Sequence, residues 1–265
     1  MKTPTLFSVK DFSFSFGKAQ ILRDLNFDVT EGEYLSIIGP NGAGKTTLLK
    51  CLVGIYAEGD GSVALNGKPL DTYSRKEIAR LISYVPQAEA GPFAFTAGEF
   101  VLMGRYPHLS PFSSIKEKDR EAAIEAMGVT GTLEFTNRHM ETLSGGERQK
   151  VFIAAALAQG AQALLLDEPT TFLDPRHADD VMSTLSRLNE ESGVTIVSVT
   201  HDINIAALEC DRVLALKDGR VAFWGSPGEI MDNMVLENIF ERNFIMAEHP
   251  VTGKPYVVPG RALEN

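Results

Sequence analysis

The sequence predicts an α/β fold: a nucleotide-binding core, an antiparallel β subdomain at the N-terminus and an inserted α-helical subdomain. Three observations carry this. A compact apolar run, Tyr34-Leu-Ser-Ile-Ile38, ends at a glycine-rich loop and is followed by a helical stretch. From about residue 88 to 160 the texture changes to Gly-, Pro- and Phe-rich, then to helical composition. Strand–helix alternation returns after residue 161.

Residues 5–16 and 20–29 alternate apolar and polar side chains, with Phe7, Val9, Phe12, Phe14 and Phe16 marking the first stretch. This pattern predicts antiparallel strands. Residues 34–38 predict a buried strand, because both faces are apolar. A helix over 45–53 follows, closed by Gly54. Residues 62–66 and 81–85 read as short strands, with Asn66-Gly67 as a turn. Residues 116–127 and 147–159 are helical in composition. Beyond them the sequence predicts a strand at 163–166, a helix over 175–191, a strand at 194–199 and a helix over 203–209. A hairpin joins 213–217 to 220–224 across Asp218-Gly219, and the tail predicts another around Thr252-Gly253-Lys254. The expected organisation is one domain of 265 residues. Its core is 1–87 with 161–225, the helical insertion is about 88–160, and 226–265 is a short extension.

Composition narrows the function. The formal net charge is −10, whereas a general phosphate-backbone binder carries a basic face, so nucleic acid is not an expected partner. No apolar run approaches the ~20 residues of a membrane helix; the longest, 151–158, is stopped by Gln159 and Gly160. Any membrane span must come from other chains. The N-terminus has no signal-like apolar region. Cys51 and Cys210 are far apart and lie in no CxxC motif, so they read as reduced thiols of a cytosolic protein.

Five short motifs carry the chemistry. Gly39-Pro40-Asn41-Gly42-Ala43-Gly44-Lys45-Thr46-Thr47 has P-loop spacing. Its glycines let backbone N–H groups converge on phosphate oxygens, and the helix that follows presents its positive end. Lys45 neutralises the β/γ oxygens, and the Thr46 hydroxyl is a Mg²⁺ ligand. Leu164-Leu-Leu-Asp167-Glu168-Pro169 is an apolar strand ending in two acids. Neighbouring strand residues face opposite ways, so Asp167 is expected toward Mg²⁺ and Glu168 toward an attacking water as general base. On its own such a pair also reads as solvated acids at a strand end. Leu143-Ser144-Gly145-Gly146-Glu147-Arg148-Gln149 is a helix capping box in local terms and equally an anion site at a helix N-terminus. Thr200-His201-Asp202 follows another apolar strand, and ligand crevices lie beyond strand C-termini in such sheets; alone, His201 reads as a surface histidine. Gln87 alone carries no reading.

Taken together, these motifs with Asp174 resemble the nucleotide-binding subunit of ABC transporters over nearly the whole chain. The resemblance implies an ATPase with ATP and Mg²⁺. Phe16 would stack on adenine, keeping the stacking of the usual Tyr but not its hydroxyl. Gln87 would sense γ-phosphate and Mg²⁺, Asp167 would face Mg²⁺ and His201 would contact γ-phosphate. Asp174 would link two sites across a dimer. Ser144, Gly145 and Gly146 would serve the ATP held by a second copy, which implies a head-to-tail homodimer. The resemblance further implies polytopic membrane permease subunits as partners, a substrate-binding protein acting indirectly, and a peripheral place on the cytoplasmic face of the inner membrane.

Phe100-Val-Leu-Met-Gly-Arg-Tyr-Pro-His108, Pro169-Thr-Thr-Phe-Leu-Asp174 and Glu248-His-Pro-Val-Thr-Gly-Lys-Pro255 are similar to the branch serving iron-siderophore, haem and cobalamin importers. Ala97-Gly98 departs from a usual Val-Arg, and Ala155 from a frequent Arg. Phe93, Phe95 and Phe100 read either as a small helical-subdomain core or as a docking surface for a membrane partner. The rival readings are a soluble ATPase of the iron–sulfur assembly type and the ATPase of another ABC transporter.

Overall fold

The computed structural model describes residues 3–87, 94–110, 114–248, 250 and 253–258. In chain order, β1 (Thr5–Phe16) and β2 (Ala19–Thr30) form the expected antiparallel pair. β3 (Tyr34–Ile38) leads through the glycine-rich loop to α1 (Lys45–Leu52). β4 (Asp60–Leu65) turns into β5 (Lys68–Pro69) at Asn66 and Gly67, both left-handed with φ of +50° and +73°. That is the conformation an Asn-Gly pair supplies in tight hairpins.

α2 (Arg75–Leu81) then precedes β6 (Ile82–Val85). This helix takes Leu81, the first residue of the expected strand. Its sequence signal is Ser74 with Glu77, whose reciprocal hydrogen bonds form a capping box. The helical region contains α3 (Ala97–Met103), α4 (Glu117–Val129) and α5 (Gly145–Ala158). β7 (Ala163–Asp167), α6 (Pro175–Ser192), β8 (Thr195–Val199) and α7 (Ile203–Glu209) restore the alternation. β9 (Arg212–Lys217) and β10 (Arg220–Gly225) pair across left-handed Asp218 and Gly219. α8 (Pro227–Ile230) and α9 (Asn233–Phe240) occupy the tail where only a hairpin was expected. β11 (Ile245–Glu248) pairs with β12 (Pro255–Val258) as that hairpin; Thr252 lies outside the described residues.

The chain divides into two compact units, residues 1–72 with 197–265, and residues 73–196. The first contains an antiparallel sheet in the order β2-β1-β4-β5 and a second sheet in the order β10-β9-β3-β8. β3 and β9 run parallel, and all five residues of β3 are buried. Both faces of that strand are therefore covered, as a Val/Ile/Leu-rich run requires. Ile203, Ala206, Ile230, Leu236, Ile239 and Phe244 close one apolar cluster, with Met246 and Val257 of the C-terminal hairpin packed on it. Full burial of a side chain such as Leu236 or Ile239 stabilises by about 1.5–3 kcal/mol. The tail is thus built into the first unit.

In the second unit β6 and β7 pair in parallel, Val85 opposite Leu166. α3, α4 and α5 close around Ala97, Val101, Ala126, Met127, Val151 and Ala154. α6 is amphipathic, burying Val181, Leu185 and Leu188 on one stripe. Among the described residues, no helix is long and apolar enough to cross a membrane.

Candidate functional site

In the first unit β3 ends at Ile38 and the chain turns sharply. Gly39 sits at φ +140°, and a Cβ there would lie 2.1 Å from the Leu216 carbonyl oxygen. Gly39 is therefore required by the close approach of β9. Gly42, at φ +80°, faces open space, so only its backbone conformation demands glycine. Gly44 is left-handed and forms the N-cap of α1 with no side-chain hydrogen bond, and no acid lies in the first turn. The helix thus presents a positive dipole end that no acidic side chain in its first turn offsets, an arrangement suited to phosphate. Lys45 is 6% exposed, and its Nζ donates to the Gly39 and Pro40 carbonyls at 2.8 and 3.0 Å. These bonds curl the loop around its own ammonium group. Ala43 is buried and donates its N–H to Pro40, while Asn41 and Thr46 are exposed and Thr47 is half-buried.

Phe16 is 47% exposed at the end of β1. Its ring meets Phe14 and Tyr56 edge-on, with centroids 4.9 and 5.1 Å apart, and Tyr56 stacks on Phe14. Tyr56 has no sequence pattern that would single it out; only the fold brings it to Phe16. His201 is exposed and follows β8. The Thr200 N–H donates to the Ile37 carbonyl at 3.1 Å. The turn carrying His201 and the loop starting at Gly39 therefore leave the sheet at one edge. Asp202 donates its N–H to the Thr200 hydroxyl and caps α7 by accepting from the Asn204 and Ile205 N–H groups.

In the second unit, β7 ends at Asp167, which is 3% exposed and whose Oδ2 accepts from the Tyr84 hydroxyl at 3.4 Å. Glu168 departs from the strand with φ of +51°. The two carboxylates do take different partners, but not by strand alternation: the chain leaves the strand and reverses at Glu168. A left-handed glutamate is uncommon and costs energy, a feature typical of functional turns. Glu168 Oε2 accepts from Gln87 Nε2 at 3.1 Å and from the Thr171 hydroxyl at 2.9 Å. The register of β6 on β7 places Gln87 beside Glu168, two residues beyond the Val85–Leu166 pair. So Gln87, Asp167 and Glu168 gather, and Thr171, to which the sequence of the Pro169–Asp174 segment assigned no role of its own, joins them.

The Leu143–Gln149 segment, the signature segment, is a full capping box. Ser144 N–H donates to Glu147 Oε2 at 2.7 Å, and Glu147 N–H donates back to Ser144 Oγ at 3.3 Å. Partial burial alone would raise the Glu147 carboxyl. The Ser144 backbone and the Arg138 guanidinium, 3.1 Å away, hold it below the ordinary carboxylate range instead. A Cβ on Gly146 would lie 2.5 Å from the His177 ring, so glycine there is required by packing. Gly145 has only Leu173 near it, at 3.8 Å. Asp174 caps α6, accepting from the His177 N–H at 3.0 Å, and its other oxygen meets His177 Nδ1 at 2.6 Å. The His177 backbone and side chain hold the Asp174 carboxyl low. His177 thus ties Asp174 to the signature helix, a link that no spacing announces.

A groove of about 440 Å³ opens beside Gln87, lined also by Tyr84, Phe100, Met103, Phe152 and Ala155. Of the three phenylalanines read as core or docking surface, Phe100 packs half-buried against Phe152, with ring centroids 5.2 Å apart. Phe95 is 41% exposed and so is not core. Phe93 lies outside the described residues. The unusual Ala97 is fully buried in the helical core, and Gly98 fits because a Cβ would sit 2.8 Å from Thr136 Cγ2.

The segment after Met103 clasps the C-terminal end of α5. A Cβ on Gly104 would fall 2.2 Å from the Ala155 carbonyl oxygen. Arg105 donates to the Ala158 carbonyl at 2.6 Å and pairs with buried Asp119 at 3.2 Å. His108 Nε2 meets the Gln159 carbonyl at 2.6 Å, and the Gln159 amide donates to the Ala79 and Ile82 carbonyls. These residues secure the end of the helix that begins at Ser144.

A model of the ABC transporter family matches residues 22–171. The chain belongs to the ABC transporter family. Over 97% of its length and 96% of the relative's it is 40% identical to the iron(3+)-hydroxamate import ATP-binding protein of Bacillus subtilis (strain 168). The solved structure of an inward-facing ABC transporter, described as of metal-chelate type, aligns with a TM-score of 0.84 at 30% identity, covering 96% of this chain and 97% of that one. A dimeric ATP-binding cassette in a post-hydrolysis state, bound to ADP and Pi, aligns at 0.71 and 30% identity, covering 84% and 99%. This ABC cassette is an ATPase. Its two free cysteines are not part of that chemistry. Burial pushes the Cys51 thiol up to about 12 and the Cys210 thiol up to about 11, which keeps both protonated and poorly nucleophilic.

Proposed function

We propose that this cassette powers uptake of a metal chelate (an iron-siderophore, haem or cobalamin) through separate polytopic membrane subunits. The reading is carried by the 40% identity to a hydroxamate-import subunit along 97% of the chain, well beyond the family-matched residues 22–171. The cassette would sit peripherally at the cytoplasmic face of the membrane, with a substrate-binding protein acting indirectly and no nucleic acid involved. Its working division is a core of 1–87 and 161–225, a helical part at about 88–160 and a C-terminal extension.

Each copy holds ATP on the backbone of residues 39–47, with Lys45 against the phosphates and Phe16 against adenine. The cradle fits this substrate: glycines 39, 42 and 44 open the backbone, and α1 begins without a side-chain cap. A second copy, arranged head to tail, brings Ser144, Gly145 and Gly146 to that ATP, and Asp174 links the two sites. Glu168 takes the proton from the attacking water as the γ-phosphorus forms its new bond to oxygen and releases ADP. Gln87 and Thr171 hold the Glu168 carboxylate in place, which supports this assignment. His201 contacts the γ-phosphate. Mg²⁺, when bound, neutralises charge on the β/γ oxygens. Thr46, Gln87 and Asp167 would hold it, and their hydroxyl, amide and carboxylate oxygens suit a hard cation. The groove at Phe100 and Met103 receives a cytoplasmic segment of the membrane subunit. Its apolar lining and its boundary at Gln87 support that place.

The test is uptake of labelled ferric hydroxamate, haem and cobalamin in cells with and without this gene, together with co-purification from detergent extract. Loss of one uptake activity, restored by the wild-type gene, and recovery of a polytopic membrane protein are expected. Unchanged uptake of all three, with only soluble iron–sulfur scaffold proteins recovered, would overturn the reading.

A further inference from the structure

The C-terminal hairpin is held to α7 by one side chain that makes two bonds. Asn204 Oδ1 accepts from the Val257 N–H at 2.8 Å, and Asn204 Nδ2 donates to the Val257 carbonyl at 3.0 Å. Both backbone groups of Val257 are thereby satisfied as a neighbouring strand would satisfy them. Lys254 reaches the Leu208 carbonyl near the far end of α7 at 3.5 Å. Met246 and Val257 pack on the cluster that contains Ile203, Ala206 and Ala207, so the hairpin covers a face of this helix.

α7 starts two residues after His201. A continuous chain of bonds joins them: Thr200 to Ile37, Asp202 to Thr200, and the Asn204 N–H to the Asp202 carboxylate at 2.8 Å. Asn204 therefore serves both ends of one connection. Its backbone fixes the turn that carries His201, and its amide fixes the helix to the hairpin. α7 has only seven residues, too few to be stable by itself. Its position depends on what packs on it.

We infer that Asn204 is a positioning residue for ATP hydrolysis, and that the C-terminal hairpin is a brace which, through Asn204 and α7, sets the place of His201. This rests on the proposed contact of His201 with the γ-phosphate. It assigns β11 and β12 a part in positioning the chemistry rather than in binding another molecule. Displacing a catalytic contact by as little as 1 Å can cost about a hundredfold in rate, whereas the grip on ATP, made by the loop after β3, is left intact.

The experiment is a double-mutant cycle in the full-length chain. Asn204→Leu keeps the size and removes both bonds. Asn204→Asp keeps the acceptor for the Val257 N–H and removes the donor. Each is made alone and with His201→Ala. ATPase kcat and KM, equilibrium binding of a fluorescent ATP analogue, and Tm are measured. The expected result is a fall in kcat of about ten- to a hundredfold for Asn204→Leu. Asn204→Asp should lie in between, with KM and analogue binding within about twofold of the parent, and neither change should lower kcat further once His201 is already Ala. An equal fall in both backgrounds, no fall, or parallel losses of binding and Tm would overturn the inference. Should Asn204→Leu fail to fold, the Asn204→Asp arm decides by the same criteria. A His201→Ala chain hydrolysing at the parent rate would instead remove the His201 reading, and the inference with it.

Discussion

Single residues in this cassette are constrained for reasons that differ even within one motif. Gly39 and Gly42 are three positions apart in the phosphate loop, but a side chain on the first collides with the Leu216 carbonyl and on the second meets nothing. Gly39→Ala should therefore abolish soluble, folded protein or ATP binding. Gly42→Ala should fold, lose about 1–2 kcal/mol for its left-handed backbone, and bind ATP more weakly. Thermal unfolding and titration with an ATP analogue separate the two outcomes. The cysteines make a second prediction at this scale. With thiol pKa values of about 12 and 11, Cys51 and Cys210 should not react appreciably with an aromatic disulfide reagent at pH 8, and both should react once the chain is unfolded. Their raised values mean that the folded chain keeps its protons when the unfolded chain loses them. The stability they lend is full below the ordinary thiol pKa, about 8.5, and declines as pH rises beyond it.

At the scale of elements, helix ends carry much of the site. Ser144 and Glu147 close α5, and Asp174 closes α6 with His177 lying over Gly146. Gly146→Ala should destabilise the second unit by about 1–3 kcal/mol through overpacking. Adding His177→Ala should return most of the lost Tm without restoring ATPase activity, because the Asp174 anchor is gone. The capping carboxylates Glu147 and Asp174 are held below their ordinary range in the folded chain. Their contribution is present above the unfolded pKa, about 4, and is lost as pH falls through the folded values. Acid unfolding followed by circular dichroism should accordingly begin at higher pH in Glu147→Gln than in the parent.

The elements also explain what was legible in the sequence. β3, β7 and β8 were legible because burial on both faces favours short, largely apolar runs, which these remain despite Ser36 and Ser198. The capping box at Ser144 was legible because its two residues are three apart. α2 has the same box at Ser74 and Glu77, yet its seven residues are too short for a periodic signal. α9 was hidden in a tail read only as a short extension with a hairpin, although Leu236 and Ile239 fall at helical spacing. Thr171, His177, Asn204 and Tyr56 stayed unreadable for a common reason. Each matters through a partner, and three of the four partners, Glu168, Asp174 and Phe16, are themselves the residues that motifs announce. Motif spacing names the group that meets a ligand, whereas the group that holds it in place is fixed only by tertiary packing.

For the whole molecule, the proposed function means that one chain carries two halves of different sites. On that proposal the phosphate loop and His201 would serve the ATP of their own copy, and Ser144 to Gly146 would serve the ATP of another. Activity should therefore rise more steeply than linearly with protein concentration when membrane partners are absent, and the conditions that favour ATP binding should favour dimers. The direct measurement is the mass of the Glu168→Gln chain in solution by light scattering, without nucleotide and with ATP and Mg²⁺, alongside its ATPase rate. Removal of the general base should lower hydrolysis by about a hundredfold or more, and ATP should convert the chain from monomer to a stable dimer. Hydrolysis at the parent rate, or a chain that stays monomeric with ATP bound, would contradict it.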